Sequence, residues 1–199
     1  MQEEIESIQE KLQEKLSPKL FRHIVGVRYT AEALAMCHGV SMEQAGTAGV
    51  LHDCAKYMTG EKMAKKCQKY QMVISPSEEK NPMLLHAKLG AYLAEHKYGV
   101  TDPEVLSAIR WHTTGKEDMT VLEQIVFLAD YMEPHRKMIP GLDQVRRMAF
   151  QNLEEAVYLT LRNTVSYLEE QAEKSGKRNF DPTTQAAYRY YAARRGISV

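Results

Sequence analysis

The sequence predicts an all-α fold built as a single helical domain. Apolar residues recur at three- and four-residue spacing through most of the chain. The polar punctuation between these runs is that of helix ends, with Ser, Thr, Asn or Asp before a run and Gly after it. No convincing stretch alternates apolar and polar residues as a half-buried strand does; Gln71–Ser75 has an extended character but no evident partner. At 199 residues the chain is long enough for one well-filled core.

The elements follow in order. Ile5, Ile8, Leu12 and Leu16 make the stripe of a short amphipathic opening helix. Ser17-Pro18 then reads as an N-cap followed by proline at the first helical position, opening a helix with Leu20, Phe21, Ile24, Val27, Ala31, Leu34 and Ala35. Ser41-Met42-Glu43-Gln44 has capping-box spacing and starts a helix expected to reach about Tyr57. A shorter helix covers Glu61 to Tyr70. Asn81-Pro82 starts another that Gly99 stops, and Asp102-Pro103 starts one ending near Thr114-Gly115. Thr120-Val121-Leu122-Glu123 is a second capping box, with a helix running to Pro134. After a loop containing Pro140-Gly141 come the C-terminal helices of residues 143–199. These include a long one over Asn152–Ala172, a turn at Ser175-Gly176-Lys177 and a last helix from Asp181-Pro182.

Composition narrows the function. Lys+Arg and Asp+Glu are both 26, so the net charge is zero, against the basic excess of a general nucleic-acid-binding surface. A small anion needs only a local cationic pocket and stays allowed. Cys37, Cys54 and Cys67 are odd in number and lack zinc-ribbon or redox spacing, as expected of reduced thiols. Met1-Gln2-Glu3-Glu4 opens no signal peptide, and no apolar run approaches a membrane span. The expectation is a cytoplasmic protein with neither nucleic acid nor membrane as partner.

The chemistry gathers at His23, His52, Asp53, His86, His112 and Asp130, spread over five predicted helices. Imidazole and carboxylate together suit a hard-to-borderline metal such as iron, manganese or zinc, and a carboxylate can bridge two cations. Consecutive helical residues point about 100° apart, so His52 and Asp53 flank a common space instead of duplicating one position. Asp130 ends the apolar run Val126-Phe127-Leu128-Ala129, where an unpaired carboxylate is costly to bury. Taken singly, each residue is more often structural; the ordered set points to a metal site within a helical bundle. His38 and His96 sit near helix ends and read as solvated, and His135 lies beyond Pro134.

The stretches that carry a resemblance are Arg22-His23 with Val27-Arg28-Tyr29-Thr30-Ala31, Ala48-Gly49-Val50-Leu51-His52-Asp53-Cys54-Ala55-Lys56, and Leu85-His86-Ala87-Lys88-Leu89-Gly90-Ala91. They continue with Ala108-Ile109-Arg110-Trp111-His112-Thr113-Thr114-Gly115 and Ile125-Val126-Phe127-Leu128-Ala129-Asp130-Tyr131-Met132-Glu133-Pro134-His135-Arg136. In this order they resemble the HD-domain metal-dependent phosphohydrolase superfamily and, within it, the YqeK family of symmetrical diadenosine tetraphosphate hydrolases. The resemblance implies one HD-type helical bundle over residues 1–199, with core motifs in 18–136 and the C-terminal helices completing a nucleotide pocket.

It further implies a primary metal site of His23, His52, Asp53 and Asp130. Asp53 would bridge to a second metal completed by His86 and His112. Iron is the implied metal; spacing alone does not choose it over manganese or zinc. The implied reaction is attack by a metal-activated hydroxide on a dinucleoside tetraphosphate, with Asp53 and Lys56 as catalytic residues and nucleoside diphosphate as product. Lys56, three residues after Asp53 and on nearly the same face, Arg136 and Arg28 are the candidate phosphate contacts. Pro182, Thr183 and Thr184 are candidate nucleoside contacts, and a homodimer is implied. Trp111 and Tyr131 read as core or cleft walls, Tyr188, Tyr190 and Tyr191 as core packing, and Arg110 as facing elsewhere. Lys56-Tyr57 stands where guanosine tetraphosphate hydrolases carry Glu-Asp, and the Gly-Tyr-Pro signature of cyclic dinucleotide phosphodiesterases is absent. The alternatives are a mononucleotide phosphohydrolase sharing the metal core and a metal- or nucleotide-binding regulatory module.

Overall fold

In a computed structural model, residues 2–176 and 181–198 are described. Among them the fold is all-α: α1 Gln2–Gln13, α2 Pro18–His38, α3 Met42–Leu51, α4 Gly60–Lys69, α5 Pro76–Lys80, a 3₁₀ turn Pro82–Leu84, α6 Leu85–Tyr98, α7 Pro103–Trp111, α8 Val121–Met132, α9 Leu142–Ala149, α10 Leu153–Ser175 and α11 Pro182–Ala193. No described helix is long and apolar enough to cross a membrane. Cys37, Cys54 and Cys67 are free.

The expected caps are present. Ser17 Oγ accepts from Leu20 N–H with Pro18 at the first turn, Asp102 caps α7, and Asp181 caps α11. Gly39, Gly99 and Gly176 end α2, α6 and α10 in the left-handed conformation. Thr120 and Glu123 close a full capping box. Ser41 makes only half of one, because the Gln44 side chain donates instead to Oδ2 of Asp102, the N-cap of α7, 2.7 Å away. Two short helices, α5 and α9, fall between the expected elements. Of the Ser175-Gly176-Lys177 turn, Lys177 lies outside the described residues.

One continuous apolar core runs through the bundle, including Leu12, Ile24, Leu34, Leu51, Leu89, Ile109, Ile125 and Leu128. At its centre α2 packs on α3 and α8, while α7 packs on α6 and α8. The C-terminal α10 lies against α8, α9 and α11. The α2–α3 crossing is close enough that a Cβ on Gly49 would stand 2.9 Å from the Arg28 Cα, so glycine is required by contact with backbone.

Three helices end earlier than expected, and each early end matters to the site. α3 stops at Leu51; residues 52–58 continue as tight three-residue turns, with Cys54 N–H to Leu51 O at 3.0 Å, Lys56 to Asp53 O at 2.9 Å and Met58 to Ala55 O at 3.1 Å. α6 crosses there, with the Gly90 Cβ position 3.3 Å from His52 O. α7 ends at Trp111, leaving His112 as its C-cap. α8 ends at Met132 because Glu133 turns extended (ψ 155), as the residue before proline must. Gly49→Ala is expected to destabilise the protein by about 1–3 kcal/mol through overpacking against backbone. Urea denaturation of the metal-free protein measures it; an unchanged midpoint would contradict the close crossing.

Candidate metal centre

His23 comes from the second turn of α2, His52 and Asp53 from the turn after α3, His86 from the start of α6, His112 from the end of α7 and Asp130 from the last turn of α8. All six predicted ligands meet at one place. His23 Nε2 lies 3.0 Å from Asp130 Oδ1, 3.3 Å from His52 Nε2 and 3.7 Å from Asp53 Oδ2. On the other side, His86 Nε2 and His112 Nε2 each lie 3.4 Å from Asp53 Oδ1 and 3.1 Å from one another. His52 Nε2 is 3.4 Å from Asp53 Oδ2. Asp53 therefore presents one oxygen to each histidine pair.

The local folding explains which nitrogens converge. His52, His86 and His112 place Nδ1 at the carbonyls of Gly49, Met83 and Ile109, each three residues earlier, at 2.7, 2.5 and 2.7 Å. An Nδ1–H donor there leaves Nε2 as the bare lone pair. Histidines at or beside a helix terminus can make that bond, because carbonyls near them are not all spent on the helix.

With Nδ1 of both rings at a carbonyl, the His86 and His112 Nε2 atoms, 3.1 Å apart, turn their lone pairs toward one another, and a cation between them satisfies both. Asp53 is fully buried, and neither of its carboxylate oxygens has an aligned hydrogen bond. The Lys56 ammonium is 2.9 Å from Oδ2, a charge contact without that alignment. An orphaned buried carboxylate among imidazole nitrogens is a donor set for a divalent metal.

The same geometry sets the proton affinities. Burial would raise the Asp53 carboxyl, but the charge of His52, contacts from His112 and the Lys56 ammonium hold it well below the usual carboxylate range. Asp130 is likewise driven down, against burial, by His23, His52 and Arg136. Burial lowers His86 to about 3, aided by His112 and Lys56. Burial also opposes charge on His23, but the hydrogen bond and charge of Asp130, with Glu133, raise it overall.

Other expectations divide. Lys56 takes its place beside Asp53, and Arg136 folds back to bond the Asp130 carbonyl at 2.7 Å as well as its carboxylate. Arg28 is a correction: it is buried, with Nε 2.9 Å from Glu32 Oε1 and Nη1 2.9 Å from Gln9 Oε1, so it ties α1 to α2 and does not face the metal centre. His38 is also corrected, since its Nε2 is bonded to Ala149 O at 2.7 Å. His96 is exposed and stacks on Tyr92. Thr184 is buried at the base of α11, whereas Thr183 lines a 120 Å³ cavity with Leu84, Arg110, Trp111, Thr114 and Asp181. Tyr191 is buried in the core, its hydroxyl accepting from Met119 N–H.

Two contributors are not assigned by residue type and spacing. Thr113 Oγ1 lies 2.9 Å from His86 Nε2 and 3.0 Å from His112 Nε2. Glu133, 1% exposed, holds His23 Nδ1 at 3.1 Å. Its signal in the sequence is an acid three residues after Asp130 and directly before the helix-ending Pro134.

The sequence pattern of the HD domain matches residues 20–135, a span that contains His23, His52, Asp53, His86, His112 and Asp130. The chain belongs to the HD-domain family. This HD protein is 38% identical over 157 residues to the symmetrical bis(5'-nucleosyl)-tetraphosphatase of Bacillus subtilis, covering 79% of this chain and 83% of that one. The protein of the same description from Staphylococcus aureus is 38% identical over 82% of this chain and 84% of its own. A solved structure from Clostridium acetobutylicum, described as a predicted HD superfamily hydrolase involved in NAD metabolism, superposes with a TM-score of 0.88 at 34% identity. The match covers 95% of this chain and 97% of that one.

The depressed His86 predicts an acid-labile metal-free state. Folded His86 stays neutral down to about 3, while an unfolded histidine takes its proton near about 6.5. The unfolded state thus binds more protons between those values, and stability falls as pH drops through that window. Asp53 and Asp130, both lowered, add to the loss below about pH 4. His23, raised, acts oppositely: its contribution is present at low pH and fades as pH rises above about 6.5. The Tm of metal-free protein should fall from pH 6.5 toward 4, with a shallower slope in His86→Gln. Equal slopes would contradict the assignment.

Proposed function

We propose that this HD-family chain hydrolyses dinucleoside tetraphosphates symmetrically, diadenosine tetraphosphate giving two ADP. The observation that carries this is the buried Asp53 carboxylate set between two histidine pairs, in a chain 38% identical over most of its length to symmetrical tetraphosphatases. On this reading His23, His52, Asp53 and Asp130 hold one divalent ion, and Asp53, His86 and His112 hold a second. Iron is the metal proposed. Bound there, divalent ions supply an activated water and neutralise charge on the phosphoryl oxygens.

The chain's own residues do the rest. Asp53 holds the two halves of the centre in register. Lys56 and Arg136, already drawn to the Asp53 and Asp130 carboxylates, are the cations available to grip a polyphosphate and stabilise charge in the transition state. Water adds to an inner phosphorus, the central P–O–P bridge breaks, and a nucleoside diphosphate leaves. Thr183, on the cavity beside Thr114, is the candidate contact for the nucleoside, with Pro182 at the same helix start. The free Cys37, Cys54 and Cys67 support a reducing, cytoplasmic setting.

The test is product analysis with anaerobic, iron-loaded protein and diadenosine tetraphosphate. ADP alone is expected; ATP plus AMP would contradict symmetrical cleavage. Rapid hydrolysis of a mononucleotide with no action on the dinucleotide would replace the proposal by the alternative reading. Asp53→Ala should lose metal and activity together while keeping the wild-type circular dichroism spectrum; a fully active variant would contradict the bridging role.

A further inference from the structure

His23 differs from the other three histidines in how its second ring nitrogen is held. His52, His86 and His112 stand at or beside helix termini and use backbone carbonyls. His23 sits inside α2, where the neighbouring carbonyls are consumed by the helix itself. Its Nδ1 is met instead by the Glu133 carboxylate, reaching across from the end of α8 at 3.1 Å. Asp130, in the last turn of α8, takes Nε2 at 3.0 Å. The imidazole is clamped between two carboxylates.

Glu133 is built to stay there. Its Oε2 accepts the His135 N–H at 2.6 Å, its main-chain N–H is bonded to Ala129 O at 3.0 Å, and its carbonyl accepts from Arg146 Nη2 at 3.0 Å. The opposing helix makes room: a Cβ on Gly26, three residues after His23, would come within 2.5 Å of Glu133 Oε2 and 3.2 Å of Cδ. A glycine facing a buried acid, one turn from a proposed metal ligand, leaves space for a carboxylate and for little else.

We infer that Glu133 is a positioning residue that makes the His23–His52–Asp130 side the tighter of the two metal positions, so that it fills first. A carboxylate behind a ligating imidazole orients the ring and raises its basicity more than a carbonyl does. This side also holds an unshared carboxylate, Asp130, whereas the His86–His112 side has only its share of Asp53 and two carbonyl-backed rings. Gly26 serves the same end by admitting Glu133. The inference rests on the two-position reading of the centre and adds an order of filling with a residue that sets it.

The test uses Mn²⁺ alone, titrated anaerobically into metal-stripped full-length protein, with bound ion followed by electron paramagnetic resonance and calorimetry. Wild type should show a tight and a weaker step. Glu133→Gln, nearly isosteric, should weaken the tight step by roughly 10- to 100-fold and leave the weaker one in place. Gly26→Ala, which retains Glu133 but displaces it, should weaken the same step. His86→Gln should spare the tight step and remove the weaker one. Wild-type affinity for both ions in folded Glu133→Gln would overturn the inference while leaving the metal centre standing. Failure of wild type to bind Mn²⁺, Fe²⁺ or Zn²⁺ would overturn the metal centre itself, and the inference with it.

Discussion

A buried carboxylate with four imidazole nitrogens around it is the constraint on which the arrangement of this protein turns. Asp53 is fully buried and its oxygens lack aligned donors. Such a group is tolerated where compensating positive charge is supplied. Without metal, the surrounding histidines, the Lys56 ammonium and the Arg136 guanidinium hold Asp53 and Asp130 well below ordinary carboxylates against the effect of burial. Divalent ions meet the same demand at the same place. The core helices bring five chain segments to one point, and the chemistry of that point favours cations over an apolar filling.

Helix termination is the device that aims the ligands. α3 stops at Leu51, and from the tighter turns that follow His52 and Asp53 both reach the centre, His52 with its Nδ1 held by Gly49 O. The same is true of His112 at the end of α7, whose ring bonds back to Ile109 O. Pro134 ends α8 and sends Glu133 off the helix toward α2. The close α2–α3 crossing at Gly49 is part of the same construction, because the Gly49 carbonyl is the acceptor that orients His52.

Much of this was legible in the sequence, for reasons that vary by residue. Ser17-Pro18, Thr120 with Glu123, Asp102-Pro103 and Gly99 report helix ends through local bonding, so they read correctly without tertiary knowledge. The six candidate ligands stood out because His and Asp inside apolar helical runs demand a partner. The end of α3 was not legible: Asp53-Cys54-Ala55-Lys56 is compatible with helix, and the crossing of α6 at Gly90 decides against it. Arg28 was misread as phosphate-facing because a cation looks alike whether it meets phosphate or carboxylate; Glu32, four residues on, was the local sign of the ion pair. Glu133 was missed because its role depends on a space that Gly26 opens on another helix.

The comparisons and the geometry agree on a divalent-metal HD hydrolase, and in the proposed centre Asp53 lies between two metal positions. Anomalous diffraction from crystals soaked in Mn²⁺ measures this directly. Two peaks are predicted, one among His23, His52 and Asp130 and one between His86 and His112, each within about 2.0–2.3 Å of a different Asp53 oxygen. A single peak on either side with the Asp53 carboxylate turned away, or no peak at all, would contradict it.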